Sequence, residues 1–241
     1  MNSRESTAVL SKAQSWQIFD DISNRYDFLN HLFSFGLDVQ WRRQLAKHIT
    51  PKGGQKVLDL ATGTADVLLA LFRQNPHIHS GFGIDLSDKM MAIGRHKIAQ
   101  HGLSRYITLS QGDVNQAPFQ NNLFDVVTIA FGIRNTEDPQ RVLREMYRVL
   151  KTGGRALILE FSLPQNNIVR PICLFYLRHI LPVIGGMFTG QFQAYRYLNQ
   201  TIENFPYGNA FCGLMHNAGF ENVKAHPLFF GAASIYQGDK I

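Results

Sequence analysis

The chain has 241 residues, of which 45% are hydrophobic and 17% are charged. This length and composition predict one folded domain with its own core and exclude an intrinsically disordered chain. The net charge of +6 leaves three alternatives open: binding to nucleic acid, binding to an anionic membrane surface, or no specific partner.

The N-terminal part, residues 1–52, is predicted to be helical. Its first twelve residues are polar and contain no apolar signal-peptide region, so we expect no secretion signal. Apolar residues then recur at steps of three and four, the period of a helix, at Phe19, Ile22, Tyr26, Leu29 and Phe33. The break at Pro51–Gly54 ends this part, which we interpret as a helical lid.

Residues 53–161 alternate short apolar runs with longer amphipathic ones. One helix is predicted to follow Ser87 as its N-cap, and another to follow Asp138 and stop at Gly153. The predicted strands are Val57–Ala61, Gly81–Ile84, Ile107–Ser110, Phe124–Ala130 and Ala156–Phe161. Alternating strands and helices predict a parallel sheet with helices on both faces.

The last part, residues 162–241, begins with the most apolar stretch, Ile168–Phe188. Arginines and prolines inside this stretch argue against a membrane-spanning helix and favour a buried or interfacial segment. Two strands, Phe220–Ala225 and Ala232–Tyr236, are predicted to add antiparallel strands at the sheet edge. The chain is therefore predicted to form one Rossmann-like α/β domain with a mostly parallel, seven-stranded sheet.

Four basic residues are predicted to line one side of the helix after Asp138, namely Arg141, Arg144, Arg148 and Lys151. No aromatic residues interleave with them, as a nucleic-acid platform would require. We interpret the row as a solvated helix face and expect no nucleic-acid partner.

The two cysteines, Cys173 and Cys212, lie far apart in the sequence. They fit neither a disulfide framework nor a zinc knuckle, and no metal site is predicted. We expect a reducing, cytoplasmic location, with contact to the inner face of the membrane left open.

A candidate cofactor site follows the first two predicted strands. The first strand runs into a turn with one glycine, Gly63, and the second ends at Asp85, where a carboxylate can accept both hydroxyls of a ribose. The turn lacks the G-x-G-x-x-G pattern of a pyrophosphate site and no phosphate-binding lysine follows it. This favours an adenosine cofactor without phosphates, such as S-adenosylmethionine. Asp59 either holds the turn or binds the ammonium group of the cofactor.

Asp113 and Val114 follow the third strand, where a carboxylate or a backbone amide can meet the adenine amino group. The alternative for Asp113 is an acid that caps its own turn.

Several motifs together resemble one family, the class I methyltransferases of menaquinone and ubiquinone biosynthesis. The most specific are Phe-Gly-x-Arg-Asn at residues 131–135 and Leu-Glu-Phe-Ser at residues 159–162. The resemblance extends from about Phe19 to the C-terminal part. It implies cofactor contacts at Thr64, Asp85, Asp113 and Val114. Ala130 occupies a further contact position, where relatives often have serine. Alanine has no hydroxyl group, so Ala130 can contribute only its backbone.

This sequence departs from the family's pattern in the first turn, where Thr62 and Ala65 replace glycines. The methyl group of Ala65 is tolerable if the backbone there is helical. Tyr236 stands near the place of a histidine in relatives.

The resemblance implies methyl transfer to a carbon of a prenylated quinol ring. Demethylmenaquinol is the favoured substrate, and the benzoquinol precursor of ubiquinone, or both quinols, is the alternative. Other lipid or phenol substrates, and a degenerate binding protein without activity, stay open. Arg134 is predicted to stabilise the quinolate, and Asn135 and Tyr26 to position the ring oxygens. The proton acceptor is left open among water, Asp27, His31 and Glu160. The alternative for Arg134 is a surface ion pair with Glu137 or Asp138.

The first helix and the stretch Ile168–Phe188 are predicted to form a lid and an apolar channel for the prenyl tail. The aromatic and apolar surface would come from Phe175, Tyr176, Leu177, Phe188, Phe192 and Tyr195. A peripheral contact with the membrane and a homodimer are further expectations.

Overall fold

The computed structural model describes residues 20, 23, 27–189 and 192–241. Seven strands form one sheet: β1 (Gln55–Leu60), β2 (Ile78–Asp85), β3 (Ile107–Gln111), β4 (Phe124–Ala130), β5 (Leu150–Phe161), β6 (Glu221–Leu228) and β7 (Ala233–Asp239). Their order is β3-β2-β1-β4-β5-β7-β6. β7 is antiparallel to β5 and β6, and the other pairs are parallel. The predicted fold class is confirmed.

The helices with assigned bounds are α1 (Leu37–Ala46), α2 (Asp66–Gln74), α3 (Asp88–Gln100), α4 (Pro139–Val149), α5 (Val169–Phe175), α6 (Leu181–Thr189), α7 (Phe192–Asn204) and α8 (Asn209–Asn217). A short helical segment, residues 27–33, precedes α1. Helices α4 and α8 pack on one face of the sheet, and α1, α2 and α3 contribute to the core on the other. Successive strand residues point to opposite faces, so Val57 joins one core and Leu58 joins the other.

The predicted helix starts are confirmed by their caps. Ser87 accepts a hydrogen bond from the Met90 amide, and Asp138 accepts one from the Arg141 amide ahead of Pro139. The predicted end at Gly153 is wrong, because α4 stops at Val149. Leu150 already pairs with Phe124 of β4, and this ladder contact replaces further helical turns.

The basic row is therefore broken. Lys151 lies on β5 and binds the Asp125 carboxylate at 2.9 Å. Arg148 is held by Glu145 and by the carbonyl groups of Ala117 and Phe119. Arg148 and Lys151 thus bind groups outside α4, and Lys151 is not on this helix. The four basic residues therefore do not form one solvated helix face.

The helical insertion between β5 and β6 has a small core of its own, formed by Leu163, Leu177, Leu181 and Ile202. A π-helical segment, Tyr176–Ile180, joins α5 to α6. The Tyr176 hydroxyl donates a hydrogen bond to the Phe33 carbonyl. This bond ties the insertion to the described residues before α1 (20, 23 and 27–36), which are called the N-terminal segment below. Within the described ranges, no helix is long and apolar enough to cross a membrane.

Candidate active site

The turn after β1 is built from left-handed backbone. Ala61, Gly63 and Ala65 have φ values of 50°, 53° and 64°. Glycine adopts this conformation freely, whereas alanine does so at a cost of about 1–2 kcal/mol. The condition of helical backbone at Ala65 is not met, because this residue caps α2 in the left-handed region. The chain thus accepts strain to make the turn.

Asp85, at the end of β2, holds that turn. One carboxylate oxygen accepts the Gly63 amide at 2.8 Å and the other accepts the Ser87 amide at 2.9 Å. Burial raises the pKa of Asp85, and these amide hydrogen bonds act against the rise. A carboxylate has about four acceptor positions, so lone pairs remain for two ribose hydroxyls.

Asp59 lies beside the same turn and is 1% exposed. One carboxylate oxygen accepts the Thr128 hydroxyl at 2.6 Å, while the other has no hydrogen-bond partner among the described residues. Burial raises the pKa of Asp59 to about 7. Asp85 binds the turn at Gly63, Asp59 lies within reach of Thr62 in the same turn, and the unpartnered oxygen of Asp59 also fits a cationic group such as an ammonium.

The other predicted cofactor residues differ in their surroundings. Asp113 is exposed and accepts the backbone and side-chain N–H groups of Asn115, which is the turn-capping alternative. Val114 is buried in the core, and Ala130 ends β4 beside Leu159. Thr64 is buried, and its hydroxyl donates to Asp27 at 2.7 Å. The sheet edge formed by the ends of β1, β2 and β4 is called the cofactor edge below.

The N-terminal segment is fastened to the cofactor edge by charged contacts. Asp27 accepts the Thr64 hydroxyl and pairs with Lys97 of α3 at 2.5 Å. Asp20 accepts the Ser87 hydroxyl and pairs with Lys89 at 3.0 Å. These contacts tie Asp20 and Asp27 to the turn after β1 and to α3 with its N-cap. The predicted catalytic residue Tyr26 lies outside the described residues.

A cavity of about 380 Å³, called the substrate cavity below, lies between the N-terminal segment, the ends of β4 and β5, and the helical insertion. Most of its wall is apolar, with Leu29, Phe33, Ile172, Leu181 and Leu198 among its members. Of the residues predicted to line a channel, Tyr176 and Leu177 do so, whereas Phe175 points outward and is 59% exposed. The side chains of Phe188, Phe192 and Tyr195 lie outside the described set.

Arg134 and Asn135 contribute polar groups to the wall of this cavity. The Arg134 guanidinium binds Glu160 at 2.7 Å and the Phe131 carbonyl at 2.6 Å, and it stacks 5.1 Å from the centre of the Phe161 ring. The surface pairing with Glu137 or Asp138 is thus replaced by a buried pair. Arg134 Nε is buried and has no hydrogen-bond partner among the described residues, so it can donate to a ligand.

Glu160 is completely buried, and its oxygens also accept the Phe161 and Arg134 amides. Burial raises the pKa of Glu160, and the Arg134 guanidinium acts against the rise. Because Glu160 does not line the cavity, its geometry fits a residue that positions Arg134 and does not fit a proton acceptor. Asp27 and His31 also do not line it. Among the described residues, none of the three side chains considered as proton acceptor lines this cavity.

A second polar group in the cavity wall, Ser34, Asp38 and Arg42, was not predicted. Asp38 accepts hydrogen bonds from His31, Ser34 and Arg42 at 2.7–2.9 Å. Burial acts to raise the pKa of Asp38, but Arg42, Ser34 and His31 together hold it below the usual value. The spacing of Asp38 and Arg42, four residues apart on α1, is the signal that indicates such a pair.

Aromatic side chains form the wall next to Arg134. The rings of Phe131 and Phe161 lie 4.6 Å apart, and Trp41 contacts both at about 6 Å. Phe131 follows Ala130 directly, so this wall begins where the cofactor edge ends. A flat aromatic ring stacked here would lie beside both Arg134 and the cofactor edge.

Comparison with known proteins agrees with this geometry. A model of the ubiE/COQ5 methyltransferase family matches residues 7–240. The chain is 47% identical over 223 residues to a protein of Geobacter sulfurreducens named ubiquinone/menaquinone biosynthesis C-methyltransferase UbiE, covering 92% of this chain and 87% of that one. It is 42% identical to the demethylmenaquinone methyltransferase of Thermotoga maritima, covering 96% and 98% of the two chains.

Solved structures share the fold at low sequence identity. A SAM-dependent methyltransferase of Thermotoga maritima superposes with a TM-score of 0.66 at 20% identity, covering 94% of this chain and all of that one. An O-methyltransferase family protein of Burkholderia thailandensis has a TM-score of 0.67 at 18% identity, covering 94% and 62% of the two chains. Because the family model and the relatives span nearly the whole chain, the chain belongs to the ubiE/COQ5 methyltransferase family, as its motifs indicated.

Proposed function

We propose that the protein transfers a methyl group to a ring carbon of demethylmenaquinol, using S-adenosylmethionine as donor. The observation that carries this proposal is the substrate cavity, which is apolar over most of its wall and has Arg134 beside an aromatic wall next to the cofactor edge. An apolar tail and a flat ring with oxygen substituents fit these two parts of the cavity.

The family and the fold imply S-adenosylmethionine as the methyl donor, and the cofactor edge fits it. Asp85 would accept the ribose hydroxyls while it holds the Gly63 amide. The free oxygen of Asp59 would accept the ammonium group. The bound cofactor supplies an electrophilic methyl group on a sulfonium, so the protein mainly orients it and excludes water.

Arg134 would stabilise the quinolate that makes the ring carbon nucleophilic. Its unpartnered Nε–H can donate to a ring oxygen, while Glu160 and the Phe131 carbonyl fix the guanidinium in place. Guanidinium stays protonated, so the hydroxyl proton and the ring proton lost on methylation go to water. Asn135, the neighbouring cavity residue, would position the second oxygen.

The names of the relatives favour a naphthoquinol ring. The Thermotoga maritima and Bacteroides fragilis proteins are named demethylmenaquinone methyltransferase, and the Geobacter sulfurreducens protein is named for both quinones. The benzoquinol precursor is therefore the second candidate substrate.

A side-by-side assay tests the proposal. Purified protein with methyl-labelled S-adenosylmethionine is offered demethylmenaquinol and the demethylated benzoquinol precursor, both kept reduced. We expect label in the naphthoquinol with a kcat/KM at least about tenfold higher. If the benzoquinol were preferred, it would replace demethylmenaquinol as the assigned substrate. If neither quinol were labelled, the proposed methyl-transfer reaction would be wrong.

A further inference from the structure

The helical insertion carries an apolar face on its outer side. Ile168, Ile172, Phe175, Val183 and Met187 are all exposed, and their spacing follows helical turns, with His179 between them. Ile168 is 74% and Met187 is 77% exposed. The opposite side of the same helices is apolar as well, because it packs on the small core of the insertion. A helix surface facing water is normally polar, and an exposed apolar side is typical of a surface that binds a partner.

Three exposed phenylalanines lie next to this face. Phe35, Phe229 and Phe230 are exposed by 77%, 56% and 76%. Their φ values are 52°, 42° and 55°, a backbone region that bulky side chains rarely adopt. Phe35 and Phe229 also line the substrate cavity, as does Ile172. These three residues connect the cavity to the exposed rings and to the outer side of the insertion, and we call this surface the mouth face.

We propose that the mouth face docks on the surface of a lipid bilayer and receives the quinol from it. This inference rests on the proposed function, because a prenylated quinol is dissolved in the bilayer. Moving its tail through water would cost about 0.8 kcal/mol for each CH₂ group, whereas a cavity that opens against the membrane avoids that cost.

The charges around the mouth face agree with a lipid partner. The sequence from Ser162 to Ile202 contains three arginines and no aspartate or glutamate. Arg178 pairs with Glu203, and Arg170 donates to the Tyr207 hydroxyl, so part of this positive charge is engaged within the domain. Apolar insertion is therefore the main contribution to binding, and attraction to anionic lipids is the smaller one.

The mode of attachment follows from the length of the helices. No helix in the described part of the chain can cross a bilayer, so the insertion lies in the interface. Interfacial helices sink about 5–10 Å into the boundary between headgroups and acyl chains, which is enough to cover Phe175, Met187 and Phe230. Phenylalanine rings are suited to this position.

Vesicle flotation tests the inference with a matched pair of variants. Phe175→Ser with Met187→Ser removes one aromatic and one aliphatic side chain from the mouth face, and neither lines the cavity. Tyr106→Ser with Ile241→Ser removes the same kinds of side chain from exposed positions elsewhere. The vesicles are phosphatidylcholine alone, and phosphatidylcholine with phosphatidylglycerol. Circular dichroism checks that each variant is folded.

We expect the unchanged protein to float with both kinds of vesicle, and flotation to persist at high salt. The mouth-face variant should partition at least about tenfold more weakly, and the matched variant should partition as the unchanged protein does. Both variants should methylate a short-tailed, water-soluble quinol at the normal rate.

Three results would overturn the inference. The first is that the unchanged protein does not float, and the second is that both variants lose flotation equally. The third is that light scattering shows a dimer which only the mouth-face variant dissociates, because a second copy would then cover this face. Flotation does not depend on catalysis. If the unchanged protein floated with vesicles but methylated no quinol, the proposed function would be wrong and the docking inference would stand.

Discussion

The cofactor edge and the substrate cavity are built in opposite ways. At the cofactor edge, Asp85 binds the backbone of Gly63, 22 residues earlier, across adjacent parallel strands. At the cavity, Tyr176 of the insertion binds Phe33 of the N-terminal segment, 143 residues away. The first site is made by turns between neighbouring strands of the central sheet, and the second by segments that lie far apart in the sequence.

This difference teaches that one site is polar and preorganised, while the other is a gap between packed elements. The carboxylates of the cofactor edge lie on β1 and β2, and each of these strands is paired with a neighbouring strand on both sides. The cavity depends on the N-terminal segment, on the insertion and on one buried ion pair. The two sites should therefore fail separately, and the following variants test that separation from the largest expected effect to the smallest.

Glu160→Gln should have the largest effect on stability. It leaves the Arg134 guanidinium buried without its anion, which costs about 3–5 kcal/mol in the free energy of unfolding. Urea denaturation measures this loss. Glu145→Gln is the control, because the Glu145–Arg148 pair is more exposed and a loss of at most about 1 kcal/mol is expected. Equal losses in the two variants would contradict a special role for the buried pair.

Arg134→Lys should reduce kcat by about 10²–10³-fold. Lysine keeps a positive charge next to Glu160 but lacks the planar set of donors that binds both Glu160 and a ring oxygen. Calorimetry should show an unchanged Kd for S-adenosylmethionine, because Arg134 belongs to the cavity. Arg144→Lys, at an exposed arginine, is the matched control. A parallel weakening of cofactor binding would show that the two sites are coupled.

Asp85→Asn should show the reverse pattern. Loss of the charge weakens the hydrogen bonds to the ribose hydroxyls, and we expect the Kd of S-adenosylmethionine to rise by about 10–100-fold. The KM for the quinol should hardly change. Asp88→Asn, three residues later, removes the same charge from an exposed side chain and should bind the cofactor normally.

Cofactor binding should depend on pH through Asp59. Because burial raises the pKa of Asp59 to about 7, the carboxyl is protonated below that pH and cannot pair with an ammonium group. The affinity for S-adenosylmethionine should therefore rise by up to about tenfold per pH unit toward pH 7 and then level off. Asp59→Asn should flatten this profile. A slope that persists in the variant would assign the titration to another group.

The smallest effect concerns the contact between the turns after β1 and β4. A Cβ atom at Gly132 would lie 2.8 Å from the Ala61 Cβ, so Gly132→Ala should destabilise the fold by about 1–3 kcal/mol. Ala61→Gly removes that obstacle, and the double variant should recover about 1 kcal/mol of the loss. Strict additivity of the two changes in urea denaturation would show that the turns do not press on each other.

Family membership confirms the predicted methyltransferase activity, and the fold confirms all seven strands. The apolar runs of the strands and the caps of the helices are local signals, and so is the position of Asp85 at the end of β2. The sequence did not predict the end of α4, because pairing of Leu150 with β4 is a contact between distant residues. It also missed the left-handed backbone at Ala65, because alanine rarely adopts it.

The partners of the cavity residues were the larger gap. Arg134 was expected at the surface or facing the substrate, but the partner that fixes it, Glu160, lies at the end of β5. Asp38 was not predicted as a site residue, because its neighbours His31, Ser34 and Arg42 become a cluster only when the chain turns between the N-terminal segment and α1.

The sequence by itself determined the order of strands and helices along the chain, the acids within β1 and at the end of β2, and the family. Each of these depends on residue types at short spacing. Only the tertiary structure decided which charges pair, which phenylalanines face outward and where the cavity opens. Those features depend on how distant segments pack, and the energy of a buried ion pair or an exposed ring is set by neighbours that the local sequence does not contain.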